Sequence, residues 1–107
     1  MNTLIKGALI VNEGEARQGD LLIEGEKISC ISYDGSLSDT DAEVVDAAGM
    51  ILIPGAIDDQ VHFREPGLTH KAELYTESKA AIAGGITSFM EMPNTVPNTL
   101  TLDLLEE

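Results

Sequence analysis

A single cysteine, Cys30, is all that this 107-residue chain offers to sulfur chemistry. It cannot close an internal disulfide. Its place in the apolar stretch 27–32 predicts a small buried residue rather than a reactive thiol, and a reducing, cytoplasmic location fits. Tryptophan is absent and aromatic residues make up 4% of the chain, so any core is aliphatic. Basic residues are scarce too: six Lys and Arg stand against nineteen Asp and Glu, for a net charge of -13. Nucleic acid and anionic membrane surfaces both require basic patches, which argues against either as a partner. No apolar run approaches the ~20 residues of a membrane-spanning helix. Residues 1–7, interrupted by Asn2 and Lys6, do not read as a signal peptide.

What is present falls into two patterns. Residues 3–11 (TLIKGALIV), 20–24 (DLLIE), 27–32 (KISCIS), 43–46 (EVVD) and 50–53 (MILI) are strand-length segments. Turn residues punctuate them: Asn12-Glu13-Gly14, Gly25-Glu26, the Asp/Ser/Gly-rich stretch 33–41, and Ala47-Ala48-Gly49. Residues 1–53 therefore predict about five short antiparallel strands in a small β-sandwich or sheet. About fifty residues is marginal for an independent core, so this module is expected to lean on another.

After Pro54-Gly55 the pattern changes, and residues 54–107 predict alternating strands and helices. Residues 56–63 form a strand and 64–70 a loop marked by Pro66-Gly67. Residues 71–83 form a helix, with Leu74, Ala81 and Ile82 on one face and Gly84-Gly85 at its end. A second strand covers 86–92, and a loop covers 93–98. Thr99 or Thr101 caps a second helix through Leu102, Leu104 and Leu105. Strand, helix, strand with this crossover length is a βαβ unit with a parallel sheet. Two βα units close no α/β fold, and a (β/α)₈ barrel takes about 250 residues. The chain is expected to be the front part of a larger protein.

The chemistry concentrates in residues 57–67, IDDQVHFREPG. Strand alternation puts Asp58, Gln60, His62 and, if the strand runs so far, Arg64 on one face. Ile57, Val61 and Phe63 take the other, with Asp59 the odd member. Adjacent polar groups on one face are costly to bury unless they bind something, so this face predicts the lining of a site. In α/β folds functional groups gather at the C-terminal ends of parallel strands. Here those ends carry His62 and Arg64 after the first strand, and Asn94 after the second. A guanidinium fork matches a carboxylate, an amide adds a donor, and an imidazole serves a metal or proton transfer. The residues point to a small anionic ligand.

Several motifs occur together in order: Pro54-Gly55-Ala56-Ile57-Asp58, Val61-His62-Phe63-Arg64-Glu65-Pro66-Gly67, Gly84-Gly85-Ile86-Thr87 and Met92-Pro93-Asn94-Thr95. Over roughly residues 50–98 they resemble dihydroorotases of the cyclic amidohydrolase group. The resemblance implies a small β-sandwich ahead of a metal-dependent (β/α)₈ barrel. It implies one or two zinc ions and the reversible cyclisation of N-carbamoyl-L-aspartate to L-dihydroorotate in pyrimidine synthesis. It assigns Arg64 and Asn94, with His62, to the substrate, and His62 to metal as well. Hydantoinases lack an arginine at the position of Arg64, and allantoinases typically carry an uncharged residue there. The proton-transferring acid and the remaining ligands would lie past Glu107, so no catalytic residue is assigned here. A homo-oligomer is compatible with the resemblance.

One residue departs from that pattern. The family usually has His-x-His on this strand, and Gln60 stands where the first His belongs. An amide oxygen is a weaker donor to zinc than imidazole nitrogen. Three outcomes stay open: one zinc held mostly by later residues, two metals with Gln60 or Asp58 assisting, or a metal-free, non-catalytic relative. Asp58 is equally well read as an acceptor of backbone hydrogen bonds. Asp59 reads as a partner for a neighbouring element, His70 as a surface residue at a helix start, Glu65 as part of its loop, and Met90 and Met92 as core.

Overall fold

The structure is a computed structural model that describes residues 1–106. It is α/β and divides into two compact units, Met1–Pro54 and Gly55–Glu107. Among the described residues, no helix is long and apolar enough to cross a membrane.

The first unit is built on a hairpin longer than its apolar runs suggest. Strand β1 (Asn2–Asn12) pairs antiparallel with β2 (Glu15–Glu24). Sequence patterning starts the second strand at Asp20, but residues 15–19 (EARQG) are in the ladder, opposite residues 8–12. Turn geometry accounts for this: Glu13 and Gly14 both have positive φ, 50° and 81°, the two-residue turn that matches the twist of paired strands. Strand β3 (Lys27–Ser32) adds to the free edge of β2. Strands β4 (Glu43–Asp46) and β5 (Ile51–Leu52) both pair with β1 in parallel. The sheet is thus mixed, not wholly antiparallel as short turns suggest.

Its core is small and aliphatic: Leu4, Ala8, Ile10, Leu21, Leu22 and Ala47 are buried. Asp20 is buried among them, and its Oδ1 accepts the Gly7 N–H at 2.9 Å where β1 bulges between Ile5 and Ala8. Cys30 is exposed, against expectation, because β3 is the edge strand and its apolar residues Ile28 and Ile31 are exposed with it. In the loop after β3, hydrogen bonds from the Ser32 hydroxyl, then from the hydroxyl and N–H of Ser36, hold the Asp34 carboxyl well below its ordinary pKa.

In the second unit β6 (Ala56–Val61) and β7 (Ile86–Glu91) pair in parallel, joined through helix α1 (Leu74–Ala83). Helix α2 (Leu102–Glu106) follows. Two elements stop short of their predicted ends. Strand β6 ends at Val61, where Met92 N–H donates the last backbone ladder bond to Val61 O, at 3.0 Å, before Pro93 turns β7 away. Helix α1 starts at Leu74 rather than 71, because the Glu65 carboxylate accepts the Leu74 N–H at 2.8 Å and caps the helix from the preceding loop.

Burial here is concentrated on Val61 and Phe63, with the Phe63 and Phe89 rings edge to face at 4.5 Å. Ile57, which alternation puts on the same face as Val61 and Phe63, is 70% exposed while they are buried. Helix α1 buries none of its residues, and Met90 is exposed rather than core while Met92 is half-buried. A two-stranded sheet is too narrow to cover these faces.

Candidate functional site

The C-terminal ends of β6 and β7 place His62 and Asn94 side by side. His62 Nδ1 lies 3.0 Å from Asn94 Oδ1. A carbonyl oxygen only accepts, so Nδ1 carries the proton in this bond. In the neutral ring that leaves Nε2 with its lone pair. Both residues are exposed, so the imidazole edge and the Asn94 amide N–H groups are open to a ligand.

Arg64 sits just beyond, half-buried, in a backbone conformation that L-residues rarely adopt, with φ 67°. Strand alternation does not extend to it: its side-chain direction is set by this left-handed turn. Its carbonyl accepts the Leu68 N–H at 3.0 Å, which closes the turn. Among the described residues its guanidinium forms no ion pair, and no hydrogen bond links it to His62 or Asn94. A non-glycine residue held at positive φ costs about 1–2 kcal/mol, and such strain is concentrated at ligand-binding positions.

Farther back on β6, alternation also fails in detail. The pairing of β6 with β7 shifts between Asp58 and Val61, so the polar residues do not run along one regular face. Gln60 N–H, out of the ladder there, is accepted by Asp58 Oδ1 at 3.0 Å. Asp58 is half-buried, and among the described residues its other oxygen has no hydrogen-bond partner; Gln60 and Asp59 are exposed. Among the described residues no three His, Cys, Asp or Glu side chains converge as a metal-binding group.

Two loops carry these residues, and they are fastened to each other. Val96 N–H donates to Pro66 O at 3.0 Å. Gly67, at φ 84°, lies so close to Val96 that a Cβ there would overlap its carbonyl. Thr95 is buried, its hydroxyl donating to Pro97 O at 2.7 Å and lying 2.9 Å from the Thr99 hydroxyl. An open cavity of about 970 Å³ lies beside these loops, between Glu65, Glu91, Met92, Leu102 and Leu105. It is mostly apolar and is not lined by His62, Arg64 or Asn94. His70 is exposed in the turn before α1.

Glu91 escapes sequence inspection. Both its carboxylate oxygens accept the Phe63 N–H, at 3.1 and 2.9 Å. The available signal was a lone acid inside the otherwise uncharged strand ITSFMEM.

The chain matches the family model described as dihydro-orotase-like over residues 49–106, more than half its length. Dihydroorotase from Lactobacillus johnsonii is 39% identical over 107 residues, covering 100% of this chain and 24% of that protein. Dihydroorotase from Carboxydothermus hydrogenoformans is 46% identical over 99 residues, covering 91% and 23%. Among solved structures, L-hydantoinase (dihydropyrimidinase) from Arthrobacter aurescens is similar with a TM-score of 0.87 and 33% identity, over 97% of this chain and 23% of that one. The chain spans about a quarter of the length of the curated relatives it matches.

Proposed function

The chain belongs to the dihydro-orotase-like family, and on that premise we propose that the whole protein is a zinc-dependent dihydroorotase. It interconverts N-carbamoyl-L-aspartate and L-dihydroorotate in the cytoplasm. Residues 1–53, one mixed sheet here, belong to the small β-sandwich module, and 54–107 are the first two βα units of a (β/α)₈ barrel. The observation that carries this reading is the His62–Asn94 pair at adjacent strand ends, followed by Arg64, which forms no ion pair among the described residues.

Each residue then has a chemical task. The Arg64 guanidinium forks onto the ring carboxylate of dihydroorotate. Asn94, with its oxygen committed to His62, donates its amide N–H groups to the same carboxylate. His62 presents Nε2 away from that bond, toward a metal. The donors on this chain fit part of a zinc site: one free imidazole nitrogen, one uncommitted Asp58 oxygen and the Gln60 amide oxygen. Zinc, when bound, polarises the ring carbonyl and lowers the pKa of a water. In ring opening, water adds to that carbonyl, the C–N bond breaks, and the nitrogen takes a proton; closure is the reverse.

The test is metal analysis of the intact protein beside an assay of dihydroorotate ring opening. Stoichiometric zinc with turnover is expected. A stable oligomer with neither metal nor turnover would show a non-catalytic relative instead. Turnover of hydantoin but not of dihydroorotate would move the substrate to that of the hydantoinases, which the L-hydantoinase likeness makes the relevant comparison.

A further inference from the structure

We infer that Glu91 is a positioning residue that fixes where Arg64 stands. The inference deepens the proposed function, since it assumes that Arg64 takes the substrate carboxylate.

The backbone ladder between β6 and β7 gives out two residues too early for the site. Its last bond is Met92 N–H to Val61 O. The next N–H on that edge belongs to Phe63, and no β7 carbonyl is left to accept it once Pro93 has turned the chain away. A buried N–H without a partner is costly, and Phe63 is buried. Glu91, paired with Val61 in the ladder, reaches forward and accepts that N–H with both oxygens. A side chain thereby does the work of the missing strand. The Phe63 ring adds a second anchor, edge to face against Phe89.

The clamp falls between the two functional residues. His62 precedes it and is also held by Asn94. Arg64 follows it and enters a strained left-handed conformation, held on its far side by the turn bond from Leu68 and by the Glu65 and Pro66 contacts of its loop. Loss of the clamp frees the strained turn on its strand side, so the Arg64 backbone relaxes there and its guanidinium moves. His62 stays where Asn94 and the last ladder bond hold it. The deficit belongs in substrate binding more than in turnover.

Two measurements on the full-length protein test this. In hydrogen exchange, the Phe63 amide is protected in the wild type. Glu91→Ala exchanges there on the order of tenfold faster or more, the worth of a hydrogen bond to a charged acceptor. Glu91→Gln, whose amide oxygen still accepts, stays within about threefold of wild type. In steady-state kinetics, Glu91→Ala raises KM for dihydroorotate about tenfold while kcat moves by less than about threefold, and Glu91→Gln restores KM. A freely exchanging Phe63 amide in the wild type overturns the inference even if Glu91→Ala fails to fold. So does an unchanged KM in a folded Glu91→Ala. A wild type without dihydroorotate turnover defeats the proposed substrate instead, and the exchange result then decides the clamp alone.

Discussion

At the scale of single residues, the proposed function makes Arg64 a position where stability is set against ligand binding. Its φ of 67° is one a glycine would adopt freely. Arg64→Gly is therefore expected to stabilise the fold by about 1 kcal/mol while abolishing carboxylate binding. Arg64→Lys keeps the strain and the charge but loses the fork, and is expected to raise KM for dihydroorotate about tenfold or more. Thermal melts and kinetics on the two variants check both halves; an Arg64→Lys enzyme with unchanged KM would remove the carboxylate role. Gln60 is the other decisive residue. If it occupies a metal-ligand position, Gln60→His gains one tightly bound zinc, read by elemental analysis after exhaustive dialysis. An unchanged metal content would place Gln60 outside the metal site and leave it as the residue whose N–H Asp58 accepts.

At the scale of elements, the two loops after β6 and β7 act as one piece, because Gly67 and Val96 interlock and Pro66 O accepts from Val96 N–H. Gly67→Ala meets both a positive φ and the Val96 carbonyl, and is expected to cost about 2–4 kcal/mol. Denaturant unfolding checks this; a loss under about 0.5 kcal/mol would mean that the loops are not locked. The order of strand, helix and strand in 54–107 was legible from periodicity and glycine punctuation, as were His62, Arg64 and Asn94 as strand-end residues. What was not legible has one physical source: interactions that reach across from another element. Residues 15–19 look like a loop until the opposite strand supplies partners. Glu65 caps a helix nine residues on, and Glu91 finishes a strand that is not its own. Polar parity along 58–64 promised one smooth face, but the shifted pairing and the Arg64 turn break it. Burial of Ile57 and the α1 face was inferred from periodicity, and of Met90 from its apolar character, and neither says how wide the covering sheet is.

At the scale of the whole molecule, the unburied apolar surface is the dominant fact. Among the described residues of the second unit only Val61 and Phe63 are buried apolar residues, whereas Ile57, Tyr75, Ile82, Leu100, Leu102 and Leu105 are all more than 60% exposed. Edge strand β3 and strands β4 and β5 of the first unit leave Ile28, Val44 and Ile51 open as well. Monomeric proteins rarely tolerate so many large apolar groups in water, and units of about fifty residues have little core to spare. The opposing force is charge: -13 on 107 residues repels other copies over a distance set by ionic strength. These two terms predict a salt-dependent balance for the isolated 107-residue chain. At low ionic strength repulsion keeps it dispersed, with enough exposed apolar surface to bind an environment-sensitive dye. Raising salt to about 0.5 M shortens the screening length to a few ångströms and leaves apolar attraction unopposed, so the chain self-associates. Light scattering and size exclusion across a salt series check this. A chain that stays monomeric at 11.4 kDa and binds no dye at high salt would show that these faces are covered within the chain itself.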